Sequence, residues 1–388
     1  MKAMIPHTSM PTVWAGGPNR KRGLRILPKR GAYFVHVTSR VCHQRFLIGE
    51  EEKRVFLDLV RRWADFSGIS VITHCLMDNH FHLLLWVPER VEISSEEVLR
   101  RLKLVWPEEK VEYWKTFYER GGEKLAKEML GEVTGRMYDL PAFMRVVKQG
   151  FSRWYNQRHD VKGSFWEGRY RSVVVEENPL SVLAVAAYID LNPLRANLCE
   201  DPMTYRWCGY GEACGGGKLA RAGLEVLVRL SKGYQPPPAL HVRWHQLRQQ
   251  MDWREIVPAM NEERRRRAIP KGWGDVQASY RVWLVYKGRS RKEDRHAKEK
   301  FRQRKGFDPV QVVEEFERQG EVPMAKMLRQ RLRFFSDGAA IGGEGYLQAL
   351  MEEFRSCFGP KRDRAARPVP GGCWPGMKAM REVKSRKR

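Results

Sequence analysis

The stretch HCLMDNHFHLLLWV, running from His74 to Val87, decides how this chain folds. Ile69 to Met77 predicts one strand, Asp78-Asn79 a tight turn and His80 to Val87 a second strand, so the segment is an antiparallel hairpin. Side chains alternate faces along a strand, which sends His80 and His82 to one side while Phe81 packs behind them. Two imidazoles projecting from one strand supply half of a metal site.

Working outward, Ala32 to Arg40 (AYFVHVTSR) alternates and is rich in β-branched and aromatic residues, which predicts a strand. Glu50 to Phe66 places Val55, Phe56, Leu59, Val60 and Trp63 on one face behind leading acids, an amphipathic helix with a favourable dipole end. Residues 93–105 and 138–158 carry helical periodicity, and the charged, Gly-punctuated stretch 106–137 between them reads as an insertion with its own short helix. Ser164 to Glu177 alternates again, with Arg169 and Arg171 on one face of a fourth strand and Tyr170 on the other. Asn178-Pro179 then opens a helix that carries Tyr188 and stops near Pro193. Strand, helix, hairpin, helix, strand, helix is an α+β order, and its simplest solution is a ferredoxin-like antiparallel sheet with helices on one face.

At 388 residues the chain has room for two or three domains. Residues 1–31 read as a disordered basic arm and 32–216 as the main domain. Past the Gly215-Gly216-Gly217 run, residues 217–360 read as a mainly helical C-terminal region, and 361–388 as a disordered basic tail. Within that region helical patterns fall near 218–231, 309–335 and 344–357; with SDGAAIGG as the turn, the last two permit a helix-turn-helix. A helical appendage that stabilises or oligomerises is the other reading. Basic blocks occur at Arg264 to Arg267 and from Arg289 to Lys305.

Lysine and arginine number 71 against 46 acids, a net charge of +25 spread along the chain and interleaved with 13 Trp, 13 Tyr and 16 Phe. A polyanion is the expected partner, with aromatics available to stack on bases. The seven cysteines are odd in number and never spaced Cys-x-x-Cys, which argues against a zinc ribbon or disulfide framework and for a reducing cytoplasm. No stretch of about 18 uncharged apolar residues occurs, so no membrane partner is expected.

Residues four apart on a helix share a face, so Tyr188 and Asn192 in AAYIDLNP can present a phenol and an amide oxygen together. A phenol is a poor nucleophile until a base or cation assists loss of its proton, and a metal on a scissile phosphate neutralises the charge that develops there. A metal beside a tyrosine is therefore suited to phosphodiester chemistry. Tyr155 is the rival nucleophile, but Phe151 and Trp154 around it suggest packing. His36 and His43 have no spaced partner and read as structural or exposed; His74 is left open between the site and the helix layer.

Three stretches in order, HCLMDNHFHLLLWVP, FSRWYNQRHDVKGSFWEGRYRS and AAYIDLNPLRANLCEDPMTYRWCGY, resemble the REP-associated tyrosine transposases, a branch of the single-tyrosine transposases with a His-hydrophobe-His motif. The resemblance covers residues 32–212. It implies a divalent ion, Mg²⁺ or Mn²⁺, held by His80, His82 and Asn192, with Tyr188 attacking single-stranded hairpin DNA to give a 5′-phosphotyrosine and a free 3′-hydroxyl. Arg169, Arg171 and Arg195 are the residues expected to hold DNA phosphates. Many relatives have Pro where this chain has Asp78, a residue read as shaping the turn rather than tuning the ion. The repeat-associated branch favours a monomer over a homodimer. The competing readings are a domesticated, non-catalytic binder of repeat DNA or transcriptional repressor, and an RNA-binding protein; neither gives a tyrosine-metal pairing a purpose.

Overall fold

The structure, a computed structural model, describes residues 25–231, 276–277, 280–281, 284, 338–358, 362, 366–368 and 377–381. The basic blocks at 264–267 and 289–305 and the helix expected over 309–335 lie outside them.

Four strands form the heart of the sheet: β1 (Tyr33–Arg40), β2 (Ser70–Leu76), β3 (His80–Val87) and β4 (Arg171–Val175). Their order is β2-β3-β1-β4, every pairing antiparallel. With α1 (Glu50–Ser67) between β1 and β2, and α5 (Leu140–Arg158) before β4, this is the βαββαβ arrangement expected of an α+β, ferredoxin-like sheet. Three glutamates crowd the first turn of α1, Glu52 accepts from the Gly49 backbone N–H at 3.0 Å, and Gly68 ends the helix at φ 70°. Asp139 caps α5 by accepting from Ala142 N at 2.7 Å.

The strands feed two cores. Val35, Val37, Leu83, Leu85 and Val174 face α1 and α5, where they meet Phe56, Val60, Trp63, Phe143 and Phe151. Phe34, Leu84, Trp86, Val173 and Val175 face the other way, onto α6 (Pro179–Asp190) and α9 (Lys218–Ser231). The expectation of helices on one face is thus corrected: both faces are covered. The cause is legible in β3, whose Leu83-Leu84-Leu85-Trp86 run is apolar on both sides and needs two layers to bury it. Each such side chain contributes about 1.5–3 kcal/mol on burial. The helix α6 opens at Asn178, whose side chain accepts from Ser181 N at 2.9 Å. α9 presses on the outer strand, where a Cβ at Gly223 would lie 2.0 Å from the Ile72 carbonyl oxygen; glycine is what lets it cover that edge. The boundary expected at Gly217 therefore does not separate two cores.

The insertion at 106–137 holds two helices rather than one, α3 (Glu108–Arg120) and α4 (Gly122–Thr134), following α2 (Ser95–Val105). The short helices α7 (Asn192–Arg195) and α8 (Gly209–Cys214) follow α6.

The C-terminal region departs most from expectation. Gly338–Gly342 is not a turn but a strand, β5, parallel to β4 with Val174 opposite Ala340 and Val175 opposite Ile341. It leads into α10 (Glu344–Glu353). Within the tail expected to be disordered, β6 (Arg367–Pro368) and β7 (Lys378–Arg381) extend the sheet to seven strands, with Met377, Ala379 and Met380 buried. The segment expected to be the turn of a helix-turn-helix is thus a strand, while the first helix of that expectation lies outside the described residues; α9 and α10 keep the described part of the C-terminal region mainly helical. The strand forms because β4 has an edge of unsatisfied N–H and C=O groups, which β5 pairs. The arm expected over 1–31 likewise ends earlier, since Ile26 is buried and the Arg25 guanidinium lies 3.6 Å over the Tyr170 ring.

Candidate functional site

The register of the sheet brings side chains from four elements onto the α6 face. Thr38 lies opposite His82 on β3 and Arg171 on β4, and Arg40 lies opposite His80. Residues directly opposite share a face, so the histidine pair, Arg40 and Arg171 line one side. His36, two residues before Thr38, lies on that side as well.

His82 is 4% exposed and sits between two rings. His36 Nε2 and His82 Nδ1 are 2.9 Å apart and share one proton, and their rings stack with centroids 5.1 Å apart. Tyr188, half-buried on α6, meets His82 edge-on at 5.7 Å and His36 at 5.9 Å. His80 packs against His82 at 5.0 Å, and its Nδ1 donates to Asn79 Oδ1 at 2.6 Å. Asn79 is oriented in turn, its Nδ2 donating to the Gln44 carbonyl at 3.1 Å.

Burial and neighbouring cations keep both β3 histidines neutral. Desolvation, helped by Arg40, lowers His80 to about 4; desolvation, His80, His36 and two arginines hold His82 well below its ordinary value. A neutral imidazole whose Nδ1 is engaged by a neighbour offers its Nε2 lone pair, which is what metal ligation requires. For His82 this holds with the shared proton on its Nδ1. The two histidines therefore fit a divalent ion. Asn192, the first residue of α7, is fastened to the end of α6, its Nδ2 donating to the carbonyls of Tyr188 at 3.0 Å and Ile189 at 3.2 Å, so its Oδ1 is the atom left to serve as a ligand. Among the described residues no group of three or more His, Cys, Asp or Glu is arranged to hold a metal.

The arginines divide. Arg195 on α7 lies with its guanidinium 5.2 Å from the centre of the Tyr188 ring and donates to the Tyr188 carbonyl at 3.4 Å. Arg171 opens β4 on the histidine face and is exposed. Arg169 does not share that strand face: β4 starts at Arg171, two residues later than an alternating strand through Arg169 requires, because Gly168 breaks the run at φ 158°. Its electrostatic neighbours are Arg25 and Tyr170, which belong with the opposite core. Asp78 is held by Lys53 Nζ at 2.6 Å, and its carbonyl accepts from Ile48 N, a turn-shaping role. Tyr155 is buried in the α1/α5 core against Phe165 and His159.

Three residues of the site escaped the sequence reading. His36 is fully buried and bonded to His82, whereas the sequence suggested no partner for it. Arg40 and Asn79 act on His80 from either side. The alternation of AYFVHVTSR puts His36 on a definite face; which strand it meets depends on a pairing no local pattern encodes.

A buried polar cluster anchors α6 from behind. Asp190, two residues past Tyr188, accepts from Thr73 Oγ1 at 2.9 Å, Tyr210 N at 3.1 Å and Tyr280 OH at 2.6 Å. Desolvation raises its carboxyl to about 6 against those three donors. His74 faces neither the histidine pair nor Tyr188: it lies 3.4 Å from Glu212, which Arg61 grips through both oxygens.

No family model matches the sequence, and no curated protein does. Among solved structures, one described as a REP-associated tyrosine transposase bound to a REP hairpin matches over 51% of this chain and 84% of that one, at 9% identity and a TM-score of 0.29. A superposition that loose does not establish a shared fold, and the functional argument rests on this chain's own residues. No described helix is long and apolar enough to cross a membrane.

Proposed function

We propose that this chain is a metal-dependent DNA strand transferase of the REP-associated tyrosine transposase kind, cleaving and rejoining single-stranded hairpin DNA through Tyr188. The observation that carries the reading is the Tyr188 ring edge-on to His82 at 5.7 Å, on the sheet face where His80 and His82 present neutral imidazoles. His80 and His82 would hold the ion, with Asn192 Oδ1 as the third protein ligand. A divalent ion, Mg²⁺ or Mn²⁺, supplies charge neutralisation on the scissile phosphate when bound.

The chain's own residues supply the rest. Tyr188 is half-buried, so its ring is held while one side stays open to a strand. Arg195 places its guanidinium 5.2 Å from the centre of that ring, a positive charge beside the nucleophile. The Tyr188 oxygen forms a bond to phosphorus as the 3′-oxygen departs, the phenol proton ends on that leaving oxygen, and the products are a 5′-phosphotyrosine and a free 3′-hydroxyl; attack by a 3′-hydroxyl reverses the exchange and returns the phenol. Because each step trades one phosphoester for another, no nucleotide cofactor is needed. Arg40, Arg171 and Arg195 hold backbone phosphates, and the net charge of +25 draws the polyanion in. The protein is proposed to act in the cytoplasm as a monomer.

The test is incubation with end-labelled hairpin DNA and Mn²⁺ followed by denaturing electrophoresis. Wild type forms a denaturant-resistant adduct; Tyr188→Phe forms none yet binds the hairpin nearly as well; Tyr155→Phe retains the adduct. An adduct that persists in Tyr188→Phe removes Tyr188 from the reaction, and none in wild type defeats the reading. Hairpin RNA in a parallel lane separates the RNA-binding alternative.

A further inference from the structure

Tyr188 and Asn192 flank a break in the backbone ladder. α6 ends at Asp190, Leu191 joins the two helices, and α7 starts at Asn192. Pro193 has no N–H, so the Ile189 carbonyl loses the donor that an unbroken helix supplies four residues on. Asn192 Nδ2 takes that place at 3.2 Å and also reaches the Tyr188 carbonyl at 3.0 Å. Changes of helix direction gather at such prolines. The placement of the phenol relative to the amide therefore depends on what braces the joint from outside.

Asp190 is that brace. Two residues on from Tyr188 is about 200° round the helix, which turns its carboxylate away from the histidines. It is fully buried there and accepts from three separate parts of the chain: Thr73 Oγ1 on β2 at 2.9 Å, Tyr210 N in the first turn of α8 at 3.1 Å and Tyr280 OH at 2.6 Å. Desolvating a carboxylate is unfavourable; what it gives in exchange, and an apolar side chain does not, is a fixed direction to each donor. The third donor comes from far along the chain. Val276, Gln277, Tyr280, Arg281 and Leu284 are helical, and their spacing puts them on one face. Tyr280 and Leu284 are buried in the α6 core, Gln277 Nε2 donates to Cys214 Sγ at 3.4 Å, and Arg281 pairs with Asp201 Oδ2 at 2.8 Å. Tyr280 is thus seated from both sides before it reaches the carboxylate.

We infer that Asp190 is a positioning residue: its three hydrogen bonds fix the α6–α7 joint, and with it the Tyr188 ring and the Asn192 amide relative to His80 and His82, so that Tyr280 and its flanking residues are a working part of the site. This rests on the proposed strand-transferase reading and names the piece of the C-terminal half on which that reading depends. Asp190 touches neither DNA nor ion; it acts through the two residues on either side of it in sequence, Tyr188 before and Asn192 after.

The test is single-turnover adduct formation by full-length protein with labelled hairpin DNA and saturating Mn²⁺, at a temperature where thermal melts show each variant folded. Tyr280→Phe and Thr73→Val each slow the covalent step roughly 10- to 100-fold, the scale set by a misplaced reacting group, while hairpin affinity keeps its wild-type value. Thr73→Ser, which retains the hydroxyl, reacts at the wild-type rate. Mn²⁺ titration supplies a second readout: Tyr280→Phe weakens ion binding in the wild-type background and adds nothing in Asn192→Ala, because the brace acts through that amide. A role in stability alone lowers the melts and moves neither number. If one variant does not fold, the other carries the test. Folded variants that react at the wild-type rate overturn the inference and leave the strand-transferase reading standing. So do additive losses of Mn²⁺ affinity in the double variant, or a fall in hairpin affinity in step with the rate. A wild type that forms no adduct defeats both.

Discussion

Replacing His36 by Phe isolates the hydrogen bond that orients His82. Phenylalanine keeps a ring of similar width against Tyr188 but removes Nε2, so His82 Nδ1 loses its 2.9 Å partner at a site where His36 is fully buried and His82 4% exposed. An unpaired buried polar atom costs about 1–3 kcal/mol. In a fold of this size that lowers the melting temperature by roughly 2–4 °C per kcal/mol. The functional effect is larger in kind. Without the acceptor on Nδ1, His82 can swap its proton to Nε2 and its ring can turn, and loss of such an outer partner typically weakens metal binding roughly 10- to 100-fold. Mn²⁺ affinity measured by titration calorimetry, with a thermal melt of the same sample, gives both numbers. If His36→Phe binds Mn²⁺ as tightly as wild type while folded, the His36 contact does not orient a ligand and the fit of the histidines to an ion loses its main support.

Other consequences follow from single groups. His74, lowered to about 4 chiefly by desolvation, refuses a proton that the unfolded chain takes up near 6.5, so stability falls as pH drops from about 6.5 to about 4. The loss is at most about 3 kcal/mol; urea midpoints at the two ends of that window should differ less in His74→Gln, and an unchanged difference assigns the acid lability elsewhere. Tyr280→Phe withdraws a donor from the buried Asp190 carboxylate and should cost about 1–3 kcal/mol in urea unfolding; a neutral outcome means that contact does not hold α6. Alanine at Arg40, Arg171 or Arg195 should each reduce the salt slope of hairpin binding by about 1, whereas the slope should be insensitive to Arg169→Ala. A full reduction from Arg169→Ala would put the DNA path on the opposite side of the sheet.

How much of this was legible in the sequence depends on how local the deciding interaction is. The hairpin of β2 and β3, the helix α1 and the start of α6 announce themselves through alternation, acid-rich first turns and an Asn-Pro opening, and the structure places them within a residue or two. β4 is shorter than the pattern from Ser164 to Glu177 suggests: Phe165 and Trp166 are neighbours that both enter the α1/α5 core, so the alternation of Arg169, Tyr170 and Arg171 does not extend back through them, and the strand starts at Arg171. GAAIG resembled a turn since its residues are small; what makes it a strand is the unpaired edge of β4, far away in sequence. The histidine pair and Tyr188 could be named from spacing and residue type, but His36 and Arg40 acquire meaning only from register. The second helix layer answers to the two-sided apolar run in β3, Leu83 to Trp86, which needs cover on both faces of the sheet.

The parallel joint between Val174 and Ala340 has a consequence for synthesis. While a ribosome is still making the C-terminal half, every strand from 33 to 175 has already emerged, and the outer rim of β4 stands open with nothing to zip against. Long-range pairings of this sort form late and leave sticky borders in the meantime. Messages cut short before residue 338 should therefore yield nascent chains that clump or engage chaperones, and a recombinant fragment ending at Gly217 makes a poor surrogate for the intact chain however complete its histidines and tyrosine look.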